Sequence, residues 1–333
     1  MLHPFSTHLP GKMQIMGCYK SITIIVSPYH VGLKNTRVGR GPHALLDAGL
    51  IGDVKQILPE EFSVNVEEIG SVQTVLTEIE GDIGRAFAVF RYISRAVRKA
   101  VQEESWPLVL SGNCMDVVAV NAGLNPVAEE GVEKRLISGK KTREVIWFDA
   151  HADLETPETT GSGYLDGMGG SMLLGQGFGN LLGTIPGYAT IEGRQLLGVG
   201  FRDFSEFEER KIREKGIRTV CGKKPLNRGY YSADLAIALE DDNAIGLVDS
   251  ILHLDVDVLD TSVGRANEFA VEGGLGEQDL IDCVDLIGEK RKVIAMHVAS
   301  LNPEYEGWEN IARVAIRAII RVIQNVPSNE SSV

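Results

Sequence analysis

The sequence D-A-H-A-D at residues 149–153 places three potential metal ligands at alternate positions, directly after the strand-like run 143–148. Side chains at alternate positions of extended backbone point to the same face, so two carboxylates and an imidazole are expected to converge there. A second carboxylate pair, Asp255 and Asp257, follows another apolar run at 250–254. One aspartate after a strand often only caps the next helix, but five ligand-type residues in two alternating sets favour a site for divalent cations.

Strand signals alternate with helix signals along the chain, and this alternation must position the ligands. Strands are predicted at Ser21–Ser27, 107–110, 143–148, 195–200, 217–220, 250–254 and 292–298. Helices are predicted at 43–48, 83–102, 115–123, 204–215, 231–240, 277–289 and 308–324. Such a pattern is typical of a parallel sheet with helices on both faces. We expect one domain over residues 21–326, an N-terminal extension at 1–20 and a flexible tail at 327–333.

Composition and charge limit the possible partners and the cellular compartment. The chain has 333 residues, of which 44% are hydrophobic and 24% charged, as is ordinary for a globular protein. The net charge of −13 argues against binding to nucleic acids or to acidic membrane surfaces. Four scattered cysteines without a CxxC motif indicate a reducing compartment, so a cytoplasmic protein is expected. Neither a signal peptide nor a membrane span is expected, because no apolar run is long enough.

Several motifs give residues 24–320 a resemblance to a known family, the arginase/agmatinase ureohydrolases. Besides D-A-H-A-D, the sequence L-D-V-D-V-L-D at 254–260 resembles the family's S-F-D-V-D-x-L-D-P, and G-G-L follows at 273–275. The sequence S-G-N-C-M at 111–115 stands where family members have G-G-D-H-S. Residues 39–42 resemble the family's early G-x-x-x-G-P region.

The resemblance implies a three-layer α/β/α sandwich with a mainly parallel sheet of eight strands. It also implies two divalent metal ions, usually Mn²⁺, which activate water for the hydrolysis of a guanidinium or amidine group. The partner is then a small guanidino or amidine compound. The resemblance further implies a homo-oligomer, either a trimer or a hexamer.

Carried over by the resemblance, the family's metal ligands fall on Asp149, His151, Asp153, Asp255 and Asp257, and the sixth, a histidine in the family, falls on Cys114. A cysteine thiolate can bind a metal, and because it is softer than imidazole, Zn²⁺, Fe²⁺ or Co²⁺ become alternatives to Mn²⁺. The other interpretation of Cys114 is a buried side chain that fills space where a ligand was lost. Asn113 replaces an aspartate of the family motif. His253 and His297, in apolar runs, are interpreted as core histidines with satisfied hydrogen bonds.

The motif positions that contact the substrate in the family differ more from the family pattern than the metal-ligand positions do. The position of the family's proton-shuttling histidine holds Asp166, which is either a general acid or base with a raised pKa, or a turn residue beside Gly167. The family's E-x-N-P motif, whose glutamate pairs with the substrate guanidinium, begins here with Ser300. The predicted catalytic residues are Asp166 and Asp153, and the predicted substrate-binding residues are Glu155, Ser162, Ser300 and Glu268.

These residues leave two main functions open. The favoured function is metal-dependent hydrolysis of a non-peptide C–N bond in a modified guanidino or amidine compound such as a hydroxyguanidine. Plain arginine is disfavoured, because Ser300 cannot supply the carboxylate charge. The alternative is a non-catalytic relative with a regulatory or assembly role. A third and weaker interpretation is deacetylase-type hydrolysis of an amide.

Overall fold

The computed structural model describes residues 19–69, 81–127, 143–240 and 248–325. The predicted tail at 327–333 and all but the last two residues of the predicted extension at 1–20 lie outside the described residues, so both stay predictions. In chain order the strands are β1 (Ser21–Ser27), β2 (Tyr29–His30), β3 (Leu33–Lys34), β4 (Ser63–Glu68), β5 (Ser105–Ser111), β6 (Glu144–Phe148), β7 (Leu196–Val199), β8 (Arg218–Val220), β9 (Val248–Asp255) and β10 (Arg291–Ala299).

Eight of these strands form the central sheet in the order β4-β1-β5-β10-β9-β6-β7-β8. Every neighbouring pair in this sheet is parallel, whereas β2 and β3 form a separate antiparallel pair. A parallel pair of strands needs a crossover connection, usually through a helix. This requirement explains why strand and helix signals alternate along the sequence.

Helices cover both faces of the sheet and make three layers. In chain order the described α-helices are α1 (Gly41–Asp47), α2 (Leu50–Ile57), α3 (Asp82–Gln102), α4 (Val117–Gly123), α5 (Gly169–Leu173), α6 (Gly179–Leu182), α7 (Glu206–Lys215), α8 (Tyr230–Glu240), α9 (Glu277–Lys290) and α10 (Trp308–Asn325). Helices α1, α2, α8, α9 and α10 pack into the core on one face. Helices α3 to α7 pack into the core on the other, which we call the α3 face.

Successive residues of a central strand enter opposite cores. Ile24 and Ile146 belong to the core under α10, and Ile25 and Trp147 belong to the core of the α3 face. Because both faces are covered, the central strands are continuous apolar runs instead of alternating ones. Polar side chains in these strands therefore stand out as candidates for function.

Strand register places one tryptophan and two histidines side by side on the α3 face, next to the predicted metal ligands. Trp147 of β6 pairs with His253 of β9, and His253 pairs with His297 of β10. Two residues further along, Ala299 of β10 pairs with Asp255 of β9. Because β6 and β9 are parallel neighbours, the two ligand motifs emerge side by side at the carboxyl edge of the sheet, where α/β proteins bind ligands.

A buried ion pair joins the strands at the opposite edge. Glu144 at the start of β6 pairs with Arg291 at the start of β10, and their side chains are 3% and 5% exposed. Arg218 of β8 also donates to Glu144, over 2.7 Å, and the Ser250 hydroxyl donates to it over 3.0 Å. These contacts tie four strands together far from the candidate ligands.

The described structure confirms the predicted α/β fold with an eight-stranded parallel sheet. Each predicted strand and helix is present, with shifts of a few residues at its ends. The sequence interpretation missed β4 and α2, and also the short elements β2, β3, α5 and α6. Strand β4 is an edge strand with mostly exposed or half-buried residues, so it lacks the apolar run that marks the inner strands. Within the described part of the chain, no helix combines the length and the apolar character that crossing a membrane needs.

Candidate metal centre and active site

A cavity of about 400 Å³ lies where the carboxyl ends of the central strands meet. Its wall contains five of the six predicted metal ligands, namely Cys114, His151, Asp153, Asp255 and Asp257. It also contains three other predicted site residues, Glu155, Asp166 and Ser300. The sixth predicted ligand, Asp149, lies against His151 at the edge of the cavity. The fold thus brings the separate motifs of the sequence to one place.

Hydrogen bonds in and beside the D-A-H-A-D motif orient its first candidate ligand, Asp149. Trp147 Nε1 donates to Asp149 Oδ2 over 2.9 Å, and His151 N donates to Asp149 Oδ1 over 2.7 Å. The expected extended segment is interrupted at Asp153, whose backbone is left-handed with a φ of 50°. Gly170 N donates to the carbonyl oxygen of Asp153 over 2.9 Å and holds this turn. The place of Asp153 in the cavity wall therefore depends on a turn and not on strand geometry alone.

The D-V-D motif is fixed in a similar way. Asp255 ends β9 and caps the 3-10 turn Val256–Val258, with its Oδ1 accepting a hydrogen bond from Asp257 N over 2.7 Å. Ala150 N donates to Asp257 Oδ1 over 3.2 Å, which links the two motifs directly. Asn267 Nδ2 donates to Asp257 Oδ2 over 3.3 Å. No motif in the sequence singles out Asn267 for this role.

Burial, followed by repulsion between carboxylates, raises the pKa values of most acids in the cluster. His151 Nδ1 lies 3.3 Å from Asp149 Oδ1 and 3.4 Å from Asp257 Oδ2. Burial alone would lower the pKa of His151, but these two carboxylates raise it above its ordinary value. Burial and then Asp257 raise the pKa of Asp149 to about 6. Burial and the neighbouring carboxylates also raise the pKa values of Asp153 and Asp255 well above the ordinary range.

One imidazole therefore does not offset the negative charge of four buried carboxylates. Oxygen-rich sites of this kind suit divalent cations, because the bound ions replace the protons that the carboxylates otherwise retain. The donor set of this cavity thus fits the two ions that the family resemblance implies.

The sulfur of Cys114 faces the carboxylates. Its thiol donates a hydrogen bond to Asp255 Oδ2 and lies 3.0 Å from Ser300 Oγ. Burial, followed by the charge of Asp255, raises the pKa of Cys114 well above its ordinary value, so metal binding would have to displace its proton. The side chain is only 3% exposed yet forms part of the cavity wall. This position favours a ligand over a space-filling residue, and ligation itself stays a prediction.

Asp166 is held by donors on two sides. Asn113 Nδ2 donates to its Oδ2, and Met115 N donates to its Oδ1 over 2.9 Å. Tyr164 contributes a longer contact of 3.5 Å from its hydroxyl. Burial raises the pKa of Asp166 to about 7, and the hydrogen bonds partly oppose this shift. The carboxylate is thus a buried cavity group that can exchange a proton near neutral pH, in addition to its place in a turn.

The predicted substrate residues differ in position. Glu155 is half-buried and Ser300 is buried, and both line the cavity. Ser162 is exposed and accepts a backbone hydrogen bond within its own loop. Glu268 pairs with Arg37. Neither Ser162 nor Glu268 is among the residues that line the described cavity, so their substrate role stays a prediction without structural support.

The cavity wall also contains residues that the sequence interpretation missed. Tyr164 and Phe269 form an aromatic pair with ring centroids 5.4 Å apart, and Phe269 also meets His151 edge-on at 6.4 Å. Asp203 lies at the wall with a side chain that is 64% exposed. These residues come from three different loops, and the sequence gives no periodic signal that would join them.

Two groups of side chains have the spacing of a metal site. One group consists of Asp149, His151 and Asp257, and the other consists of Cys114, Asp149 and His253. Within each group, one ligand atom of every residue lies within 4.8 Å of the others. The two groups share Asp149, as expected of neighbouring ions with a common carboxylate. The second group contains a histidine that was not predicted as a ligand.

The interpretation of the two strand histidines as satisfied core residues is right for His297 and wrong for His253. His297 Nδ1 lies 2.8 Å from His253 Nδ1, and His297 Nε2 lies 2.7 Å from Ser111 Oγ. His253 Nε2 is buried and has no hydrogen-bond partner among the described residues. The position of this unsatisfied nitrogen follows from strand register. Pairing of β9 with β6 sets His253 beside Trp147 on the α3 face, one pleat below Asp255.

Comparison with known proteins decides the family. The model of the Arginase family matches residues 20–324. The chain belongs to the arginase family. Members of this family are binuclear-metal hydrolases of amidino C–N bonds, and this ureohydrolase is an enzyme of that class. The predicted family and enzyme class are therefore confirmed.

Individual relatives span nearly the whole arginase-family chain. The arginase of Bacillus caldovelox is 28% identical over 303 residues, which cover 89% of this chain and 96% of the relative. A crystal structure of arginase from Bacillus cereus aligns with a TM-score of 0.75 and 22% identity, covering 91% of this chain and 98% of that one. A formimidoylglutamase from Bacillus subtilis aligns with a TM-score of 0.67 and 17% identity, covering 97% and 94%. At these identities the two structural matches support the fold and not a substrate.

Proposed function

We propose that this ureohydrolase acts on a guanidino or amidine compound other than unmodified arginine. Its substrate is less basic than a guanidinium group, or carries positive charge away from the reacting carbon. Ser300 is the observation that carries the proposal. The family pattern has a glutamate there to pair with the guanidinium, and Ser300 lines the cavity beside the candidate ligands. A hydroxyl can hydrogen-bond but cannot neutralise a buried cation, and an unpaired buried charge is strongly unfavourable.

The candidate ligands support two divalent ions bound around the shared Asp149. When bound, such ions make water acidic enough to attack at neutral pH and stabilise the charge that develops on the substrate. Asp153 keeps its predicted double role as ligand and catalytic carboxylate. The thiol of Cys114 favours Zn²⁺, Co²⁺ or Fe²⁺ over Mn²⁺ on its side of the centre, because a thiolate is a soft ligand.

Asp166 is proposed as the residue that moves protons. A general acid or base works best when its pKa lies near the working pH, and burial raises the pKa of Asp166 to about 7. The bonds from Met115 N and Asn113 Nδ2 fix the orientation of its carboxylate. In this role Asp166 accepts a proton from the attacking water and returns it to the departing amine.

The outer part of the cavity suits a positive charge. Among the described residues that line it, His151 is the one that can carry positive charge. Glu208 is engaged by the backbone N–H groups of Leu154 and Ser205, over 3.0 and 2.8 Å. Glu155 and Asp203 also line the wall and can pair with an amino group on the substrate. This distribution supports a substrate whose cationic group lies away from the reacting carbon.

Release of urea and ammonia from several compounds tests the proposal. Arginine, agmatine, guanidinobutyrate, guanidinopropionate and hydroxyarginine are compared on protein loaded with Mn²⁺, Zn²⁺ or Co²⁺. We expect weak or no turnover of arginine and agmatine, and faster turnover of a modified compound. The Asp255→Asn variant is the control, since turnover that survives it does not come from this centre.

Arginine turnover at an ordinary enzymatic rate of about 1–10³ per second would contradict the argument from Ser300. Absence of both bound metal and turnover would favour the non-catalytic alternative. The homotrimer or homohexamer and the cytoplasmic location are also proposals. Light scattering tests the assembly, and a stable monomer at micromolar concentration would contradict it.

A further inference from the structure

His253 is a buried histidine with one unused nitrogen. Its side chain is 0% exposed, and its Nε2 has no hydrogen-bond partner in the described structure. Leaving a buried polar atom unpaired costs about 1–3 kcal/mol. A ring nitrogen of His253 lies within 4.8 Å of ligand atoms of Cys114 and Asp149. Since Nδ1 contacts His297 over 2.8 Å, Nε2 is the nitrogen left to bind a ligand.

One arrangement of the hydrogen bonds around His253 leaves its Nε2 without a proton. In this arrangement the Ser111 hydroxyl donates to the carbonyl oxygen of Asn113 over 2.9 Å and accepts a hydrogen bond from His297 Nε2 over 2.7 Å. His297 Nδ1 then accepts a hydrogen bond from His253 Nδ1 over 2.8 Å. His253 Nε2 is left with a lone pair, the form in which imidazole binds a metal.

We propose that His253 is a metal ligand, and that Cys114, Asp149 and His253 together hold one ion through sulfur, oxygen and nitrogen. The inference rests on the proposed binuclear centre and adds a ligand to it. In the family's S-F-D-V-D motif the serine falls on the position of His253, so the family pattern does not contain this ligand. The family's histidine ligand after β5 is Cys114 in this chain. In the proposed site, His253 of β9 supplies an imidazole in its place.

The surroundings of His253 are those of a metal-bound histidine. Such a histidine usually donates its other N–H to a fixed partner, which sets the tautomer and the ring orientation. His297 is that partner, and the two rings stack with centroids 4.8 Å apart. On the other side the Trp147 ring packs edge-on with a centroid distance of 4.4 Å, so the His253 ring is fixed from both sides.

The sulfur, oxygen and nitrogen atoms of these three side chains are the ligand atoms that Zn²⁺ prefers in proteins. Zinc binds thiolate at about 2.3 Å and imidazole at about 2.0–2.1 Å with tetrahedral geometry, which sets the ligand atoms about 3.5 Å apart. The three atoms already lie within 4.8 Å of one another, so small side-chain movements close the site. A sulfur, oxygen and nitrogen set favours Zn²⁺ or Co²⁺ over Mn²⁺.

X-ray absorption spectroscopy of the full chain loaded with Zn²⁺ or Co²⁺ counts the bound imidazoles, and metal titration measures the affinity. In the His253→Asn variant the amide nitrogen can take the place of Nδ1 and still donate to His297, but no atom replaces Nε2. The matched control is His43→Asn, which alters a histidine that contacts Glu68 outside the cavity. Melting of the metal-free proteins checks that each variant is folded.

We expect two ions and two imidazoles per unmodified chain, supplied by His151 and His253. The His253→Asn variant should lose one imidazole and bind one ion at least about 10-fold more weakly, while His43→Asn changes neither. Two ions with one imidazole, unchanged in His253→Asn, would overturn the inference and leave the proposed function standing. An unmodified chain that binds no metal would overturn both. If His253→Asn does not fold, the imidazole count of the unmodified chain decides the question.

Discussion

Exchanging Asn113 and Asp166 tests how the proposed proton-transfer residue is held. Val31 N donates to Asn113 Oδ1 over 2.6 Å, so the amide must turn its Nδ2 towards Asp166 Oδ2. Met115 N donates to Asp166 Oδ1 over 2.9 Å. Both oxygens of the carboxylate therefore face donors, and the orientation of the amide is set from outside the pair.

Either single substitution leaves two groups of the same kind face to face. Asp166→Asn sets an amide nitrogen against Asn113 Nδ2, and Asn113→Asp sets one carboxylate against another. An unmade buried hydrogen bond costs about 1–3 kcal/mol. The double variant restores one donor against one acceptor, and Val31 N and Met115 N keep oxygen acceptors. We expect a coupling energy of about 2 kcal/mol in the double-mutant cycle, in which the separate effects of each site cancel.

The coupling energy is measured by urea denaturation of the metal-free unmodified chain, the two single variants and the double variant. The pH is kept above the pKa of Asp166, which burial raises to about 7. Turnover is measured separately after metal loading. Stability should return in the double variant, but activity should not, because an amide at position 166 cannot exchange a proton near neutral pH. A coupling energy within about 0.5 kcal/mol of zero would refute the hydrogen-bond argument. Full activity in the double variant would refute the catalytic role.

The metal-free protein should become less stable as pH rises, because folding raises the pKa of Asp166 from 3.8 to about 7 and that of Asp149 to about 6. The contribution of Asp166 to the free energy of unfolding falls as pH rises above 3.8 and is lost completely above its folded pKa, a decrease on the order of 4 kcal/mol. Melting temperatures measured with chelator should therefore fall with pH, and melting temperatures that rise with pH would contradict this prediction. Trp147→Phe removes the donor to Asp149 Oδ2 and should weaken metal binding about 10–100-fold in calorimetric titration, with unchanged affinity as the contrary result. Glu144→Leu removes the buried carboxylate that Arg291 and Arg218 contact and should lower the free energy of unfolding by about 3–5 kcal/mol, as measured by urea denaturation, without changing metal stoichiometry.

The architecture was largely predictable because its inner strands are buried on both faces. Each inner strand is an apolar run, and helices with an apolar stripe follow, as in α3. Strand β4 escaped prediction because its side chains are mostly exposed at an edge, and its place beside β1 depends on pairing with a distant segment. The local periodicity of apolar residues reports burial, so it does not indicate a strand whose residues are not buried.

The sequence by itself indicated the family and the enzyme class, because its motifs resemble those of the family. It also picked out the candidate metal ligands, because ligand-type residues alternate after buried strands. The tertiary structure decided what lies around those ligands. It turned Asp153 into a left-handed bend, set Asn113 against Asp166, and turned Glu268 to Arg37. It also placed His253, whose Nε2 has no hydrogen-bond partner among the described residues, beside the candidate ligands Cys114 and Asp149. The reason is that these contacts join segments far apart in the chain, and they depend on strand register and loop packing that no local pattern encodes.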